Sequence, residues 1–519
     1  MDRQRYPVGI QTFSEIREKG FLYIDKTRFI QQMLEGSKYY LLCRPRRFGK
    51  SLLLSTIEAF FAGRRDLFEG LDISRHDHDW ISHPVFHLDL VNFNTESREG
   101  FESMLEARLS QWEKDYGIPS SGNDFAQRFQ NIIQRSAKMT GQQAVILVDE
   151  YDKPLVNTLH DNALNETFRQ ILRPIYACLK AADRHISFAM LTGVTRFSRL
   201  SIFSDINNLF DISLDPRFDA ICGITEQEMT DTCRPGIENL AKAYGISYRD
   251  GLSLLKKNYD GYHFTHPSPD IYNPFSLLSA LDSSRINPYW FGTGTPTFLI
   301  EALRSRHSDI RRLLDTESSE YELSEVEAIS SNTTSLLFQT GYLTIKGIDR
   351  ETGDYRLGIP NLEVEQGLFR GMLPIFSGTP GEDSSEFIRS LSAFLKEGDP
   401  ENALEILRSF LADIPYHLSG NKPEIYFENN LYIIFKMLGF RASTEYTTSA
   451  GRIDILVKTG DFVYIMELKL DGTPHQALDQ IMDKGYYLPF LGSGKKIVCI
   501  GINFSKKARN IDRWIISTM

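Results

Sequence analysis

Residues 39–54 read YYLLCRPRRFGKSLLL, and this stretch decides the fold of the first part of the chain. Tyr39–Cys43 has the continuous apolar character of a buried strand, and Gly49, Lys50 and Ser51 open a helical pattern. In a strand–turn–helix unit, the N–H groups of the turn and the helix N-terminus point at phosphate oxygens. The stretch therefore predicts a phosphate-binding loop.

The residue types within this loop predict how it binds a nucleotide. The Lys50 ammonium is placed to reach the β- and γ-phosphates, and the Ser51 hydroxyl is placed to bind Mg²⁺. Arg44 stands where the usual pattern has glycine, and we expect it to shape the turn. On this stretch alone, a basic turn before an ordinary helix is an equal alternative. The candidate nucleotide-binding residues are Arg46, Arg47, Phe48, Gly49, Lys50, Ser51 and Leu52.

Apolar strands alternate with helical patterns through about the first 220 residues, which predicts a parallel sheet covered on both faces. The predicted strands are 39–43, 84–90, 144–148 and 186–191, and the helices include 51–61 and 100–116.

Acidic and polar residues follow two of these strands at the edge where open α/β sheets bind ligands. Asp149 ends one strand and is predicted to hold the Mg²⁺ that Ser51 also binds, while Glu150 orients and deprotonates a water molecule. Thr192 ends the next strand and could hold that water or sense the γ-phosphate. Arg196 and Arg199 are candidates for an arginine finger or sensor, with solvated surface arginines as the alternative.

Four motifs together carry a resemblance over residues 6–218. They are YIDKT at 23–27, RPRRFGKSLLLS at 44–55, LVDEYDKPL at 147–155 and LTGVTRFS at 191–198. The combination resembles the AAA-ATPase-like family of bacterial proteins, a branch of the P-loop ATPases close to the AAA+ and STAND groups. The resemblance implies ATP and Mg²⁺ as cofactors, and it makes the arginine at position 44 the normal form of this loop.

Composition narrows the remaining classes. A net charge of −10 over 519 residues excludes a globally basic nucleic-acid binder, although local basic patches remain open. Five scattered cysteines without a CxxC pair predict neither a disulfide framework nor a zinc site. The sequence shows no secretory signal and no membrane-length apolar run, so we expect a soluble cytoplasmic protein without membrane contact.

The chain is predicted to have three α/β or helical parts and one linker. A P-loop domain with a parallel sheet occupies 1–224, and a helical lid followed by a winged-helix-like module occupies 225–376. A Gly-, Pro- and Ser-containing linker spans 377–386, and the last domain spans 387–519. In that domain we expect helices at 387–411, 426–438 and 476–487 and strands at 452–457, 462–468 and 496–501.

A second cluster of charged residues lies in this last domain. Asp454 falls on one predicted strand, and Glu467 and Lys469 share one face of the next. A hairpin would bring the two carboxylates together, as a hard divalent cation requires. Glu428 could add a carboxylate and Gln480 could orient water. The alternative is a structural hairpin with an ordinary salt bridge.

The order of a helical glutamate, GRIDIL, MELKL and QALDQI resembles the PD-(D/E)XK nuclease superfamily over residues 424–504. The resemblance implies a restriction-endonuclease-like fold with Asp454, Glu467 and Lys469 as the catalytic core. It makes Glu428 and Gln480 accessory, and Asp454 and Glu467 the ligands of Mg²⁺ or Mn²⁺. Tyr486 is a further candidate. Late basic residues could contact a phosphate backbone, or be solvated surface charge; these are Lys495, Lys496, Lys506, Lys507 and Arg509.

The leading functional hypothesis is an ATP-controlled, Mg²⁺-dependent nuclease. Its partners would be ATP and nucleic acid, with DNA favoured over RNA, and the chain could form a homo-oligomer. Two alternatives remain. One is a nucleotide-dependent switch whose nuclease-like domain docks nucleic acid or protein without cleaving it, and the other is a signalling ATPase.

Overall fold

The computed structural model describes residues 4–119, 122, 124–159, 161–196, 203, 208–293, 310, 314–324, 333–378, 381–414, 423–438 and 443–519. The chain divides into two compact units. The first comprises Met1–Gly292 and Thr316–Leu362, and the second comprises Thr293–Asp315 and Glu363–Met519. The predicted boundaries at 224, 376 and 386 stay predictions.

The first unit is built around a parallel sheet, as the alternating pattern predicted. Its strands stand in the order β2-β3-β4-β1-β5 and all pair in parallel. The strands are β1 (Tyr39–Cys43), β2 (Val85–Asp89), β3 (Ala144–Asp149), β4 (Ile186–Gly193) and β5 (Phe210–Asp211). Strand β3 is buried along its whole length, which explains why its sequence is a continuous apolar run.

Helices connect these strands, and their apolar faces complete the core. Phe101 and Leu105 on one helix, and Phe168 and Leu172 on another, join Ile146 of β3 in one hydrophobic cluster. The helices are α1 (Phe13–Glu18), α2 (Thr27–Leu34), α3 (Lys50–Phe61), α4 (Arg98–Asp115), α5 (Phe125–Thr140), α6 (Lys153–Asn157) and α7 (Asn162–Ala181).

A helical module follows the sheet. Two short strands, β6 (Ile224–Thr225) and β7 (Ile271–Tyr272), pair antiparallel beside its helices. Thr225 and Glu228 form a capping box, with the Thr225 side chain accepting from the Glu228 N–H and the Glu228 side chain accepting from the Thr225 N–H. The helices of the module are α8 (Glu226–Thr232), α9 (Arg234–Tyr244), α10 (Tyr248–Tyr259) and α11 (Pro274–Ser283).

A small antiparallel sheet completes the first unit, with the strand order β8-β10-β9. Its strands are β8 (Thr316–Ser318), β9 (Thr344–Ile348) and β10 (Tyr355–Gly358), and its helices are α12 (Glu320–Ser324) and α13 (Thr333–Gln339). Strand β9 is separated from α13 by a turn at Gly341, which has φ +88°.

The second unit begins with helices, two of which the sequence merged. Residues 387–411 were expected to be helical throughout, but the chain breaks at Gly398, which has φ +81°. Asp399 caps the next helix by accepting from the Asn402 N–H, and Pro400 opens it. The helices are α14 (Leu362–Ser377), α15 (Gly381–Glu397), α16 (Pro400–Ala412) and α17 (Pro423–Met437). Helix α15 covers the second half of the predicted 377–386 linker.

A mixed five-stranded sheet forms the rest of the unit, in the order β11-β12-β13-β14-β15. Only the β13–β14 pair is parallel, and the crossover between these strands contains a helix. The elements are β11 (Ser443–Thr448), β12 (Gly451–Lys458), β13 (Phe462–Leu470), α18 (Pro474–Asp483), β14 (Lys496–Ser505) and β15 (Asn510–Thr518). The sequence missed both edge strands, β11 and β15, and placed the end of α18 four residues too late.

Among the helices that the structure describes, none combines the length and the apolar character needed to cross a bilayer.

Candidate functional sites

The loop between β1 and α3 has the backbone form of an anion site. Arg47 and Gly49 both adopt positive φ values, 67° and 96°, and Gly49 directly precedes the first residue of α3. The first turn of a helix leaves its N–H groups without intrahelical partners, so they remain available to an anion at this position. The Arg47 guanidinium does not enter the loop, since its carbon lies 4.7 Å from the ring centroid of Phe275.

Arg44 braces this loop from inside the protein. Its side chain is buried and donates hydrogen bonds to the carbonyl oxygens of Ser213 at 2.7 Å and Phe218 at 3.2 Å. The guanidinium also lies 4.0 Å from the ring centroid of Phe264. Burial lowers the pKa of Arg44 to about 10, which still leaves it charged at neutral pH. This position agrees with the expectation that Arg44 shapes the turn.

The other loop residues also contact the helical module. The Trp290 indole N–H donates to the carbonyl oxygen of Arg46 at 3.0 Å. The Phe48 ring packs edge-on against Tyr262, with 4.8 Å between the centroids. These contacts could not be predicted, because no local sequence pattern relates residues 262–290 to the loop. Through these contacts the loop packs against the helical module.

Lys50 is buried beneath the loop and is already paired. Its ammonium lies 3.3 Å from a carboxylate oxygen of Glu150 and donates to the carbonyl oxygens of Arg44 at 3.1 Å and Pro45 at 3.3 Å. Burial acts to lower the pKa of Lys50, but nearby carboxylates, with Glu150 first, raise it above its usual value. Glu150, predicted to activate water, therefore lies in an ion pair with Lys50, the lysine predicted to bind phosphate.

Asp149 and Thr192 meet at the ends of β3 and β4. The Thr192 hydroxyl donates to the Asp149 carboxylate at 2.6 Å, and both side chains are buried. Ser51 lies in the first turn of α3 and is partly buried, as is Leu52. The sheet thus brings the acid and the hydroxyl together at the edge where the sequence predicted them.

Asp152 is a residue that the sequence reading missed. Its buried carboxylate accepts from the N–H of Val194 at 3.1 Å and from the N–H of Thr195 at 2.6 Å, which ties the turn after β3 to the turn after β4. Burial first, and the charge of Glu150 second, raise its pKa to about 6. Gly193 is required here, because a Cβ would lie 2.4 Å from the Asp152 carboxylate. The sequence did offer a sign of this role, because Asp152 is the third acid of the VDEYD stretch at 148–152.

The two candidate arginines have different outcomes. Arg196 forms an ion pair with Asp211 at 2.7 Å, at the end of β5, and its N–H donates to the Gln339 side chain. Its guanidinium is therefore engaged with a carboxylate, and its role as a finger or sensor stays a prediction. Arg199 lies outside the described residues.

An apolar cavity lies beside the loop. Its lining includes the side chains of Ile24, Phe48, Ile224 and Leu278, together with Lys26. Lys26 is fixed in position, because its ammonium contacts both carboxylate oxygens of Glu228 at 2.7 Å and the carbonyl of Ala220 at 2.8 Å.

In the second unit, the β12–β13 hairpin joins the predicted acids. The pairing of Ile455 with Met466 places Asp454 beside Glu467 on adjacent strands. The Leu468 N–H donates to the Asp454 carboxylate at 2.8 Å, which fixes that side chain on the neighbouring strand. The hairpin that the sequence proposed is therefore present.

Gln480 completes this cluster from α18. Its amide nitrogen donates to one Glu467 oxygen, and its amide oxygen accepts from the Lys469 ammonium. Lys469 itself lies 3.7 Å from the same Glu467 oxygen. The structure thus brings four of the predicted residues into one cluster, and Gln480 bridges the acid and the base.

The second Glu467 oxygen is buried and, within the described part of the chain, has no hydrogen-bond partner. Burial, and secondarily the charge of Asp454, raise the pKa of Glu467 to about 7. An unpaired carboxylate oxygen beside a second carboxylate fits a hard divalent cation. No group of three metal-binding side chains occurs among the described residues, so a further ligand would come from water, the substrate or a side chain beyond them.

Two candidates of this domain remain, the accessory Glu428 and the further candidate Tyr486. Glu428 lies on α17, but its side chain is outside the described part of the structure. Tyr486 does not share a helix with Gln480, because α18 ends at Asp483. The Tyr486 ring is buried in the core of the domain, which is a packing position.

Comparisons with known proteins agree with this division. Residues 7–203 match the family described as "Predicted AAA-ATPase", and residues 422–514 match the PD-(D/E)XK nuclease superfamily. A protein of Azotobacter chroococcum mcd 1, named "Uncharacterized protein in vnfD 5'region", is 36% identical over 530 residues. That alignment covers 100% of both chains.

Proposed function

Because the chain belongs to the AAA-ATPase-like family and carries a C-terminal domain of the PD-(D/E)XK nuclease superfamily, we propose that it is an ATP-controlled nuclease. The first unit binds and hydrolyses ATP, and the second cleaves phosphodiester bonds of nucleic acid with Mg²⁺ or Mn²⁺. The observation that carries the proposal is a buried Glu467 oxygen, in the cluster with Asp454, Lys469 and Gln480, that has no hydrogen-bond partner in the part of the chain that the structure describes.

The phosphate loop would hold ATP through its backbone. The N–H groups from Arg46 to Leu52 would face the phosphates, and Lys50 would exchange Glu150 for the β- and γ-phosphates. Asp149 and Ser51 would hold Mg²⁺, with Thr192 fixing the Asp149 carboxylate. The apolar cavity beside Phe48 suits the base, since nucleobases bury flat apolar faces.

Glu150 would change roles when the nucleotide binds. Once Lys50 turns to the phosphates, the Glu150 carboxylate is released to accept a proton from the attacking water. The Lys50–Glu150 ion pair would thus keep the base inactive until ATP binds.

At the nuclease site, Asp454 and Glu467 would hold the divalent ion. The bound ion would supply Lewis-acid stabilisation of the scissile phosphate and a water of lowered pKa. Lys469 would orient the attacking water and offset negative charge on the phosphate. Gln480 holds Lys469 and Glu467 at a fixed spacing, so it would keep the two groups in register with the substrate.

A paired experiment tests both halves. The purified chain is incubated with single- and double-stranded DNA and RNA, with Mg²⁺ or Mn²⁺, and with or without ATP. Lys50→Ala and Glu467→Ala are measured alongside, and Asp479→Ala, an exposed position next to Gln480, serves as the matched control. We expect the parent protein to cleave nucleic acid only with the metal. Glu467→Ala should abolish cleavage, and Lys50→Ala should make cleavage independent of ATP. Asp479→Ala should cleave like the parent protein.

Three outcomes count against the proposal. If no substrate is cleaved, the proposed nuclease activity is refuted. If Glu467→Ala still cleaves, the assignment of the active site to the Glu467 cluster is wrong. Nucleotide binding and cleavage that are unchanged in Lys50→Ala remove ATP control. ATP-dependent binding of nucleic acid without cleavage would favour the docking switch instead.

A further inference from the structure

The late basic residues, which all lie near the end of the sequence, divide into two groups in space. Lys495 and Lys496 lie where β14 begins, and Lys506, Lys507 and Arg509 lie in the turn between β14 and β15. The two groups therefore stand at opposite ends of a ten-residue strand. We name the residues 506–509 the basic turn.

Only the basic turn lies at the end of the sheet that carries the nuclease cluster. Strands β13 and β14 run parallel, with Lys469 opposite Asn503 and Phe462 opposite Lys496. At a rise of about 3.3 Å per residue, Lys506 lies about 10 Å beyond the level of Lys469, whereas Lys496 lies about 23 Å behind it.

The basic turn is ordered and points outward. The Lys506 N–H donates to the Asp471 carboxylate at 2.9 Å, and the Ala508 N–H donates to the Ser505 hydroxyl at 3.1 Å. Lys506 and Lys507 are exposed. The turn is thus held by its backbone, while two lysine side chains remain on the surface.

The lysines at the other end serve the fold. The Lys495 ammonium donates to the carbonyl oxygen of Thr459 at 2.5 Å. The Lys496 ammonium lies 5.8 Å from the ring centroid of Phe462. These contacts tie the start of β14 to the β12–β13 turn and to β13.

We propose that the basic turn binds the sugar–phosphate backbone of the nucleic acid whose scissile phosphate lies at the Asp454–Glu467 cluster. The proposal rests on the proposed nuclease function and adds the surface that receives the substrate. The polyanionic backbone is the partner that matches two exposed lysines on a chain of net charge −10. Lysine is a point charge, so the turn would position the strand without reading its sequence.

The two ends of β14 supply a matched test. Binding of fluorescently labelled single- and double-stranded DNA and RNA is followed by anisotropy at several salt concentrations, in a Glu467→Gln background that prevents cleavage. Lys506→Ala with Lys507→Ala is compared with Lys495→Ala with Lys496→Ala, so each double variant removes two lysines, one pair from each end of β14. Lys506→Arg with Lys507→Arg tests for rescue by charge, and thermal unfolding checks that each variant folds.

We expect Lys506→Ala with Lys507→Ala to weaken nucleic-acid binding about tenfold. The slope of log binding constant against log salt concentration should become shallower by about two, because each phosphate contact that is lost reduces the number of counterions released on binding by about one. The arginine pair should restore binding, and the control pair should stay within about twofold of the parent. Equal losses in the two alanine pairs, or an unchanged slope in the first, would overturn the proposal. If the parent protein binds no nucleic acid at all, that result would instead refute the proposed nuclease function itself.

Discussion

The nucleotide site and the nuclease site treat their charged groups in opposite ways. In the first unit, Lys50 is paired with Glu150, and the Asp149 carboxylate accepts from Thr192. In the second, Glu467 keeps one buried oxygen without a hydrogen-bond partner among the described residues, and its pKa is raised to about 7. In the first site the lysine and these two acids have partners within the site, whereas in the second one Glu467 oxygen has none among the described residues.

This difference predicts two kinds of binding. A nucleotide must exchange an existing ion pair for its phosphates, so part of its binding free energy offsets the loss of that pair. A divalent ion meets no such competitor among the described residues at the second Glu467 oxygen, but it must displace a proton whenever the carboxyl is protonated. We therefore expect ATP binding to respond to Glu150 and metal binding to respond to pH.

The largest expected effect comes from Lys50. Lys50→Met removes a charged donor to the phosphates, and we expect ATP affinity to fall by about 100-fold, equivalent to about 3 kcal/mol. Glu150→Gln removes the competitor of the phosphates, so it should bind ATP at least as tightly as the parent while losing hydrolysis.

Titration with a fluorescent ATP analogue measures these affinities, and Lys138→Met, at an exposed position of α5, is the control. Weaker ATP binding in Glu150→Gln would show that the phosphates do not replace Glu150 as the partner of Lys50. The contrast drawn between the two sites would then be wrong for the nucleotide site.

The next effect is the pH dependence of the nuclease site. Below pH 7 the protonated fraction of Glu467 grows, so apparent metal affinity should fall by up to tenfold for each pH unit lost. Without metal, the free energy of unfolding depends on pH in the opposite direction to metal affinity. The native state keeps this proton between about pH 4.3 and 7, where an unfolded glutamate has released it, so stability falls as pH rises through that window.

Calorimetric metal titrations between pH 5.5 and 8, and thermal unfolding in a chelator, measure both trends. Glu467→Gln should remove this contribution to the stability profile. A stability profile identical in the parent and in Glu467→Gln would contradict the raised pKa.

A smaller effect is expected at Gln480. Gln480→Ala removes the bridge between Glu467 and Lys469, and we expect the rate of cleavage to fall about tenfold because the two groups lose their fixed spacing. ATP hydrolysis should be unchanged. Steady-state cleavage assays measure this, with Asp479→Ala as the neighbouring control, and a rate equal to the parent would make Gln480 a packing residue only.

The smallest effect concerns the loop itself. Trp290→Phe keeps the ring but removes the donor to the Arg46 carbonyl, at a cost of about 1 kcal/mol. We expect ATP affinity to fall about fivefold, with nuclease activity in the absence of ATP unaffected. Unchanged ATP affinity would show that this contact stabilises the module without shaping the phosphate site.

The sequence predicted the features that local patterns encode. The strand before the phosphate loop, Asp149 at the end of an apolar strand, and the Asp454–Glu467 hairpin each follow from residue periodicity over a few positions. The contact of Trp290 with Arg46 could not be predicted, because it joins residues 244 positions apart. The clamp of Asp152 on Thr195 was missed for the same reason. Edge strands β11 and β15 escaped because partly exposed strands lack a continuous apolar run.

The phosphate loop has one further consequence, and it is entropic. A glycine-rich loop samples many backbone conformations before a ligand orders it, and that ordering opposes binding. Here Arg44, Pro45 and Phe48 occupy the loop, and two of them are anchored by Phe264 and Tyr262. The loop should therefore lose little conformational freedom on binding ATP, so that calorimetry should show a small entropic penalty for the nucleotide.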